Sequence, residues 1–183
     1  MRIVAGEWRG KPLVAPKGDA TRPTADRMRE TLFNMLTSRL GSFQDLSVVD
    51  LFAGSGALGL EALSRGAAHC LFVEQDAAAL AALRQNIRTL DAQARTSLRA
   101  GSVMELGPAP APADVILVDP PYNTGAGVVA LHRLLRLRWL SAATWVVLET
   151  GRKEDVAVAG LVIHAERQVG RGKLTFMRLD EPE

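Results

Sequence analysis

Two kinds of apolar run alternate along this chain. Short runs, apolar apart from Asp50 and the leading His69, occur at Val48 to Phe52, His69 to Val73, Val115 to Val118 and Trp145 to Leu148. Their length and β-branched content predict strands buried on both faces. Between them, apolar residues recur at helical spacing. One set is Met28, Leu32, Met35, Leu36 and Leu40; a second is Leu80, Leu83, Ile87 and Leu90; a third is Val128, Leu131, Leu134 and Leu135. Thr24 suits the N-cap of the first helix, with Asp26 in its first turn, and Asp76 suits the N-cap of the second. A further helix is predicted from about Ala57 to Arg65, with Gly66 placed to end it. Thr96 to Arg99 is a weaker strand. Leu161 to Arg167 and Leu174 to Leu179 form a terminal hairpin joined through Gly170 and Gly172. Arg2 to Val4 and Lys11 to Val14 form a smaller hairpin around Gly6 and Gly10.

Strands that alternate with helices predict an α/β, Rossmann-like fold: an open, mostly parallel sheet with helices on both faces. Ligands in such sheets bind beyond the carboxyl ends of the strands. At 183 residues the chain suits one domain. Residues 1–40 read as a basic hairpin-and-helix extension, and residues 41–183 as the core.

Composition narrows the setting. The lone Cys70 lies in an apolar run, so no disulfide framework forms within one chain, as expected of a cytoplasmic protein. The N-terminus lacks the apolar stretch of a signal peptide, and no run approaches the roughly 20 residues that span a bilayer. No membrane association and a monomeric state are expected. The net charge of +2 is unevenly spread. Residues 1–39 carry eight Lys/Arg against four Asp/Glu, while residues 40–151 carry eight against ten. A basic N-terminal arm suits a polyanionic partner such as nucleic acid. His69, His132 and His164 are scattered without metal-ligand spacing, and no metal is expected.

Chemistry concentrates in two places. Asp50-Leu51-Phe52-Ala53-Gly54-Ser55-Gly56-Ala57-Leu58-Gly59 sets G-x-G-x-x-G between a strand and a helix. Such glycines allow a tight turn and close approach of a ligand to the backbone. Glu74 ends the next strand, where an acid can accept both hydrogen bonds of a ribose diol. NAD and S-adenosyl-L-methionine both fit that turn. Asp50 can hold the ammonium of the second, directly or through water.

The other place is Asp119-Pro120-Pro121-Tyr122, directly after a buried run. Two prolines stiffen the exit from the sheet and leave carbonyls that no helix uses. A carboxylate, free carbonyls and the chain's only tyrosine suit a flat group bearing N–H donors, such as the exocyclic amine of a nucleobase. A hydride-transfer enzyme has no need of that cage, which favours S-adenosyl-L-methionine.

With these residues assembled, the chain resembles class I S-adenosylmethionine-dependent methyltransferases, and in particular the RsmD family, which methylates the exocyclic N2 of a guanine in 16S rRNA. Three blocks carry the resemblance. The first is Arg2-Ile3-Val4-Ala5-Gly6-Glu7-Trp8-Arg9-Gly10 with Thr21 to Arg27 and Arg29 to Asn34. The second is Val49 to Ala67 followed by Phe72-Val73-Glu74, and the third is the Asp119 tetrapeptide. The last two are shared by many amino-methyltransferases; the first selects the family.

The resemblance implies a seven-stranded sheet with an antiparallel last strand. It implies cofactor contacts from Asp50, Phe52, Ala53, Gly54, Ser55, Gly56 and Gly59, from Glu74 and Gln75 at the ribose, from Ser102 and Val103 near the adenine, and from Asp119. Asp119, Pro120, Pro121 and Tyr122 are the expected catalytic residues. Arg9, Lys11, Arg22, Arg27 and Arg29 are expected to meet phosphates of 16S rRNA, free or within the small subunit or its assembly intermediate. The implied target is the loop guanine numbered 966. The rival readings are an amino-methyltransferase acting on adenine N6 or cytosine N4 of DNA or RNA, an NAD-dependent dehydrogenase, and a non-catalytic RNA-binding scaffold.

Overall fold

The computed structural model describes residues 1–17 and 23–181. Seven strands form one sheet: β1 (Ser47–Leu51), β2 (His69–Glu74), β3 (Thr96–Ala100), β4 (Val115–Val118), β5 (Trp145–Gly151), β6 (Leu161–Val169) and β7 (Gly172–Leu179). Their order is β3-β2-β1-β4-β5-β7-β6. The first five run parallel, and β7 slots antiparallel between β5 and β6. The helices are α1 (Pro23–Leu40), α2 (Ala57–Ser64), α3 (Ala77–Thr89) and α4 (Ala126–Arg136).

The short apolar runs are central strands because both faces are covered. Along β4, Val115 and Leu117 enter one core with Phe33, Leu36, Leu60, Phe72, Leu83 and Phe176. Ile116 and Val118 enter the other with Leu131, Leu134 and Trp139. Side chains alternate across a strand, so a run without polar breaks serves two layers at once. The weaker pattern of β3 has the matching cause: it is an edge strand with mixed exposure.

The N-terminal hairpin forms in a short version: Arg2 bridges Pro12 antiparallel, with the Ile3 N–H donating to the Lys11 carbonyl at 3.0 Å and the Leu13 N–H to the Met1 carbonyl at 2.9 Å. The backbone N–H groups of Val4 and Ala5 donate to the Glu61 carboxylate of α2 instead of to a partner strand. Thr24 lies inside α1, which begins at Pro23; proline suits a first helical position because it has no N–H to orphan. Asp76 does cap α3, its carboxylate accepting from the Ala79 N–H at 2.9 Å. None of the described helices is long and apolar enough to cross a membrane.

Candidate active site

β1 and β4 are adjacent and parallel, so their carboxyl ends open onto one edge. After β1 the chain turns sharply, with Phe52 at φ 57° and Gly54 at φ 57°. The Ala53 N–H donates to the Val73 carbonyl at 3.0 Å, tying the turn to β2. Two of the glycines serve different ends. A Cβ on Gly54 would meet nothing within 4 Å, so this backbone faces open space. A Cβ on Gly59 would lie 2.4 Å from the Phe72 ring and 2.6 Å from Cys70 Sγ. Gly59 therefore lets α2 press against β2, while Gly54 leaves room for a ligand.

Two acids flank this turn. Asp50 is 1% exposed. Its Oδ2 accepts from the Gly59 N–H at 2.9 Å, but its Oδ1 is buried without a partner. Burial pushes this carboxyl up to about 8; the Gly59 N–H opposes the push and the negative charge of Glu74 adds to it. An orphaned buried oxygen is costly and fits an absent cationic donor. Glu74 accepts from the Gly54 N–H at 2.7 Å and from the Gln75 and Asp76 N–H groups at 2.8 Å. A carboxylate has about four acceptor positions, so Glu74 is oriented by backbone with limited capacity left for a ribose. Gln75 is exposed.

The second strand end carries a cluster wider than the expected tetrapeptide. In the β4–β5 register Val118 pairs with Leu148, which sets Asp119 beside Glu149. The Tyr122 hydroxyl donates to Glu149 Oε1. Thr124 Oγ1 donates to the Pro121 carbonyl at 2.7 Å, and the Asn123 and Gly151 N–H groups both reach Glu154 Oε1 at 2.7 Å. The loop after β4 is thus pinned at Pro121, Tyr122 and Asn123. Among the described residues the Pro120 carbonyl and the Asp119 carboxylate receive no hydrogen bond from a backbone N–H or a basic side chain.

Asp119 stands just past the end of β4 and keeps accessible surface. Desolvation by the surrounding protein is the largest cause that raises its carboxyl well above the ordinary range, followed by the charges of Glu149 and Asp50 and a hydrogen bond with Glu149. Water reaches its open side, and screening there limits the push. Burial likewise raises Glu149, with the Tyr122 hydroxyl opposing. Glu149 is the residue that sequence reasoning missed. Its signal is an acid directly after an apolar run, the same signal that marks Glu74 and Asp119.

Other expected residues fall into place unevenly. Ser102 caps a short 3-10 turn, Val103–Glu105: its hydroxyl accepts from the Met104 N–H at 3.1 Å, and Glu105 accepts from the Ser102 N–H at 2.8 Å. This capping box holds the backbone at Val103 next to the end of β2, where the Gly101 N–H donates to the Glu74 carbonyl at 2.9 Å. Arg9, Lys11 and Arg27 are exposed and form no ion pair among the described residues. Arg22 lies outside the described residues. Arg29 is a correction. It is 4% exposed, donates to the Arg2 carbonyl at 2.5 Å and pairs with Asp26 and with fully buried Glu61. A guanidinium so enclosed cannot meet phosphate; it locks the N-terminal segment to the core.

α1 borders the cleft. A Cβ on Gly172 would come within 2.4 Å of Met28 Cε and 2.6 Å of the Tyr122 hydroxyl, and one on Gly170 within 2.6 Å of Thr24 Cγ2. The start of α1, the β6–β7 turn and Tyr122 therefore share one rim.

Comparison with known proteins decides the lineage. A family model described as "Conserved hypothetical protein 95" (Cons_hypoth95) matches residues 1–178. Ribosomal RNA small subunit methyltransferase D of Escherichia coli (strain K12) is 35% identical over 173 residues, covering 93% of this chain and 86% of that one. The chain belongs to the RsmD family. Its Haemophilus influenzae member of the same name is 36% identical over 160 residues, with 85% and 81% covered. The solved structure of Escherichia coli yhhF superposes with a TM-score of 0.85 at 34% identity, covering 98% of each chain. A more distant likeness, of fold alone, is to the magnesium protoporphyrin IX methyltransferase ChlM from Synechocystis PCC 6803, solved with bound SAM (TM-score 0.68, 14% identity, 89% and 87% covered). The RsmD-family fold here is thus that of class I methyltransferases. The donor set fits S-adenosyl-L-methionine: an unpartnered buried carboxylate oxygen for an ammonium, an open glycine turn, and a strand-end acid.

Proposed function

We propose that this protein transfers a methyl group from S-adenosyl-L-methionine to the exocyclic N2 of a guanine in small-subunit 16S rRNA, the family resemblance pointing to guanine 966. It acts in the cytoplasm as a monomer, through one methyltransferase domain. The observation that carries the reading is the pairing of two unsatisfied acceptor sets on one sheet edge: Asp50 Oδ1 on the cofactor side, and Asp119 with the Pro120 carbonyl on the base side.

The cofactor supplies an electrophilic methyl on a sulfonium. Asp50 takes the ammonium, Glu74 the ribose, and the Ser102–Val103 turn the adenine. The base-side residues meet the harder problem. A guanine amine is a poor nucleophile because its lone pair is delocalised into the ring. Asp119 and the Pro120 carbonyl each accept one N–H, which pulls the nitrogen toward tetrahedral geometry and aims its lone pair at the methyl carbon. Such alignment contributes up to about 7–11 kcal/mol in well-oriented systems. A hydrogen bond to a charged acceptor adds about 1.5–3 kcal/mol net. Asp119 also favours the positive charge that develops on nitrogen. The Tyr122 ring stacks on a base that is unstacked or already in a loop.

The rival dehydrogenase leaves the Asp119 cluster without a use, and a non-catalytic scaffold leaves two unsatisfied acids without a reason. Mass spectrometry of 16S rRNA from a deletion strain, complemented with wild type or with Asp119→Ala, tests the proposal. Wild type restores N2-methylguanosine. The alanine variant does not, although calorimetry shows that it still binds S-adenosyl-L-methionine. Near-normal methylation by the variant sinks the assignment of Asp119.

A further inference from the structure

We infer that Glu149 selects guanine by accepting the N1–H of the base, while Asp119 and the Pro120 carbonyl hold its N2 amine. The inference rests on the N2-guanine reading above and assigns its specificity to a residue outside the tetrapeptide. Parallel pairing of Val118 with Leu148 places Asp119, just past the end of β4, beside Glu149 within β5. Tyr122 fixes the Glu149 carboxylate through Oε1, and Oε2 receives no hydrogen bond from a backbone N–H or a basic side chain among the described residues. No cation pairs with Glu149 among them either. Glu149 is part-buried; Tyr122 anchors it and the neighbouring Asp119 carboxyl is its other hydrogen-bond partner, so the acid pair draws no donor from the fold beyond the Tyr122 hydroxyl.

That arrangement matches one base. Guanine presents N1–H and N2–H as neighbouring donors on its Watson–Crick edge, which two adjacent acceptor groups can receive together. Adenine and cytosine set an amine beside a ring-nitrogen lone pair. Against Glu149 that lone pair meets another acceptor, and a desolvated acceptor without a donor is penalised. Desolvation raises both carboxyls, and the charge of Glu149 raises Asp119 further; a base that offers two donors stabilises both as anions. Tyr122, bonded to the same carboxylate, couples stacking to edge reading. The tetrapeptide alone lacks this discrimination, because Asp119 and Pro120 treat any exocyclic amine alike.

2-Aminopurine probes the interaction: it keeps the 2-amine, carries a lone pair at N1 and lacks the 6-oxygen, and the Glu149→Gln variant separates the N1 contact from the loss of that oxygen. The test uses reconstituted small subunits whose 16S rRNA is joined from segments bearing guanosine or 2-aminopurine at the target. Wild type is expected to prefer guanosine in kcat/KM by roughly 10- to 100-fold, the discrimination typical of one well-made edge contact. Glu149→Gln keeps an oxygen for Tyr122 and offers an N–H to N1, so the preference should collapse or invert. Equal wild-type rates on the two bases overturn the inference. So does a Glu149→Gln variant with native circular dichroism and cofactor binding that retains the wild-type preference. If the variant does not fold, the wild-type ratio decides alone. Absence of methyl on N2 of the guanosine substrate brings down the underlying N2 reading; N2-methylguanosine formed without the preference brings down only the role of Glu149.

Discussion

The N-terminal segment and the cleft at the ends of β4 and β5 both carry charge, and they use it in opposite ways. In the first, charge is consumed by the fold. Fully buried Glu61 accepts from the Val4 and Ala5 N–H groups and from Arg65 Nε at 3.0 Å, and pairs with Arg29. Arg95 reaches Glu7 and donates to the Leu63 and Ala67 carbonyls, its guanidinium 5.3 Å from the Trp8 ring centre. In the cleft, Asp50 keeps an unpartnered oxygen, and Asp119 and Glu149 face each other without a counter-ion among the described residues. Charges that a fold has satisfied build structure. Charges it leaves unsatisfied are available for chemistry, at a cost in stability.

Removing one acid from each region sharpens this contrast most. Glu61→Ala removes the buried carboxylate beside Arg29 and Arg65 and leaves the Val4 and Ala5 N–H groups without their acceptor. Breaking a buried pair in this way costs about 3–5 kcal/mol, which lowers the melting temperature by roughly 10 °C for a chain of this size. Activity per folded molecule should survive. Asp119→Ala should do the reverse, melting at or above wild type because repulsion with Glu149 is relieved, while turnover falls at least ~10²–10³-fold. Thermal melts paired with single-turnover methylation check both. If the two variants behave alike, the distinction between consumed and available charge is wrong.

Much of this contrast was readable from the chain, but not evenly. The central strands and the glycine turn announced themselves because burial on two faces leaves few polar breaks, Asp50 in β1 being one with a use, and because only glycine suits both an open approach at Gly54 and the contact at Gly59. Asp119 was legible because prolines follow it. Burial of individual charges was not. Arg29 sits among exposed basic residues in sequence, yet the packing of α1 against α2 encloses it, and nothing in its neighbours signals that Glu61 waits there. Glu149 escaped notice for a related reason. It follows an apolar run as an ordinary acid within β5 and gains meaning only when the β4–β5 register sets it next to Asp119. Local pattern reports periodicity; it does not report which strands are neighbours.

Asp50 gives the next largest effect, through pH. Its folded-state carboxyl is raised to about 8, chiefly by burial. The folded protein therefore holds this proton at pH values where the unfolded chain has lost it. Its contribution makes the cofactor-free protein less stable as pH rises from the ordinary carboxyl range toward 8. An ammonium at Oδ1 favours the charged form and reverses that sign. Affinity for S-adenosyl-L-methionine should accordingly rise between about pH 6 and 8, by at most ~10-fold per unit, with proton release on binding. Calorimetry in buffers of different ionisation enthalpy measures both. A flat affinity in wild type, or a profile unchanged in Asp50→Asn, would remove Asp50 from the cofactor site.

The smallest effect tests what remains of the basic N-terminal segment as an RNA contact. Deleting the segment is a poor experiment, because Ile3 and Leu13 are core residues at 2% and 7% exposure and the deletion would unravel the strap. Arg9 and Lys11 are exposed, unpaired among the described residues, and held on a rigid turn by the Arg9 N–H to the Gly6 carbonyl and the Lys11 N–H to the Trp8 carbonyl. Replacing both with alanine should leave the melting temperature within a degree or so of wild type, since surface substitutions of this kind fall within about 0.5 kcal/mol. If each contacts one phosphate, the slope of log affinity against log salt should shrink by ~0.7 per charge on single-stranded RNA. Arg29→Ala should instead lower stability, since that guanidinium faces inward. An unchanged salt slope in the Arg9/Lys11 double variant would mean that the strap presents no phosphate contact. The RNA path would then have to run over the start of α1, where exposed Arg27 stands beside the rim shared with Tyr122.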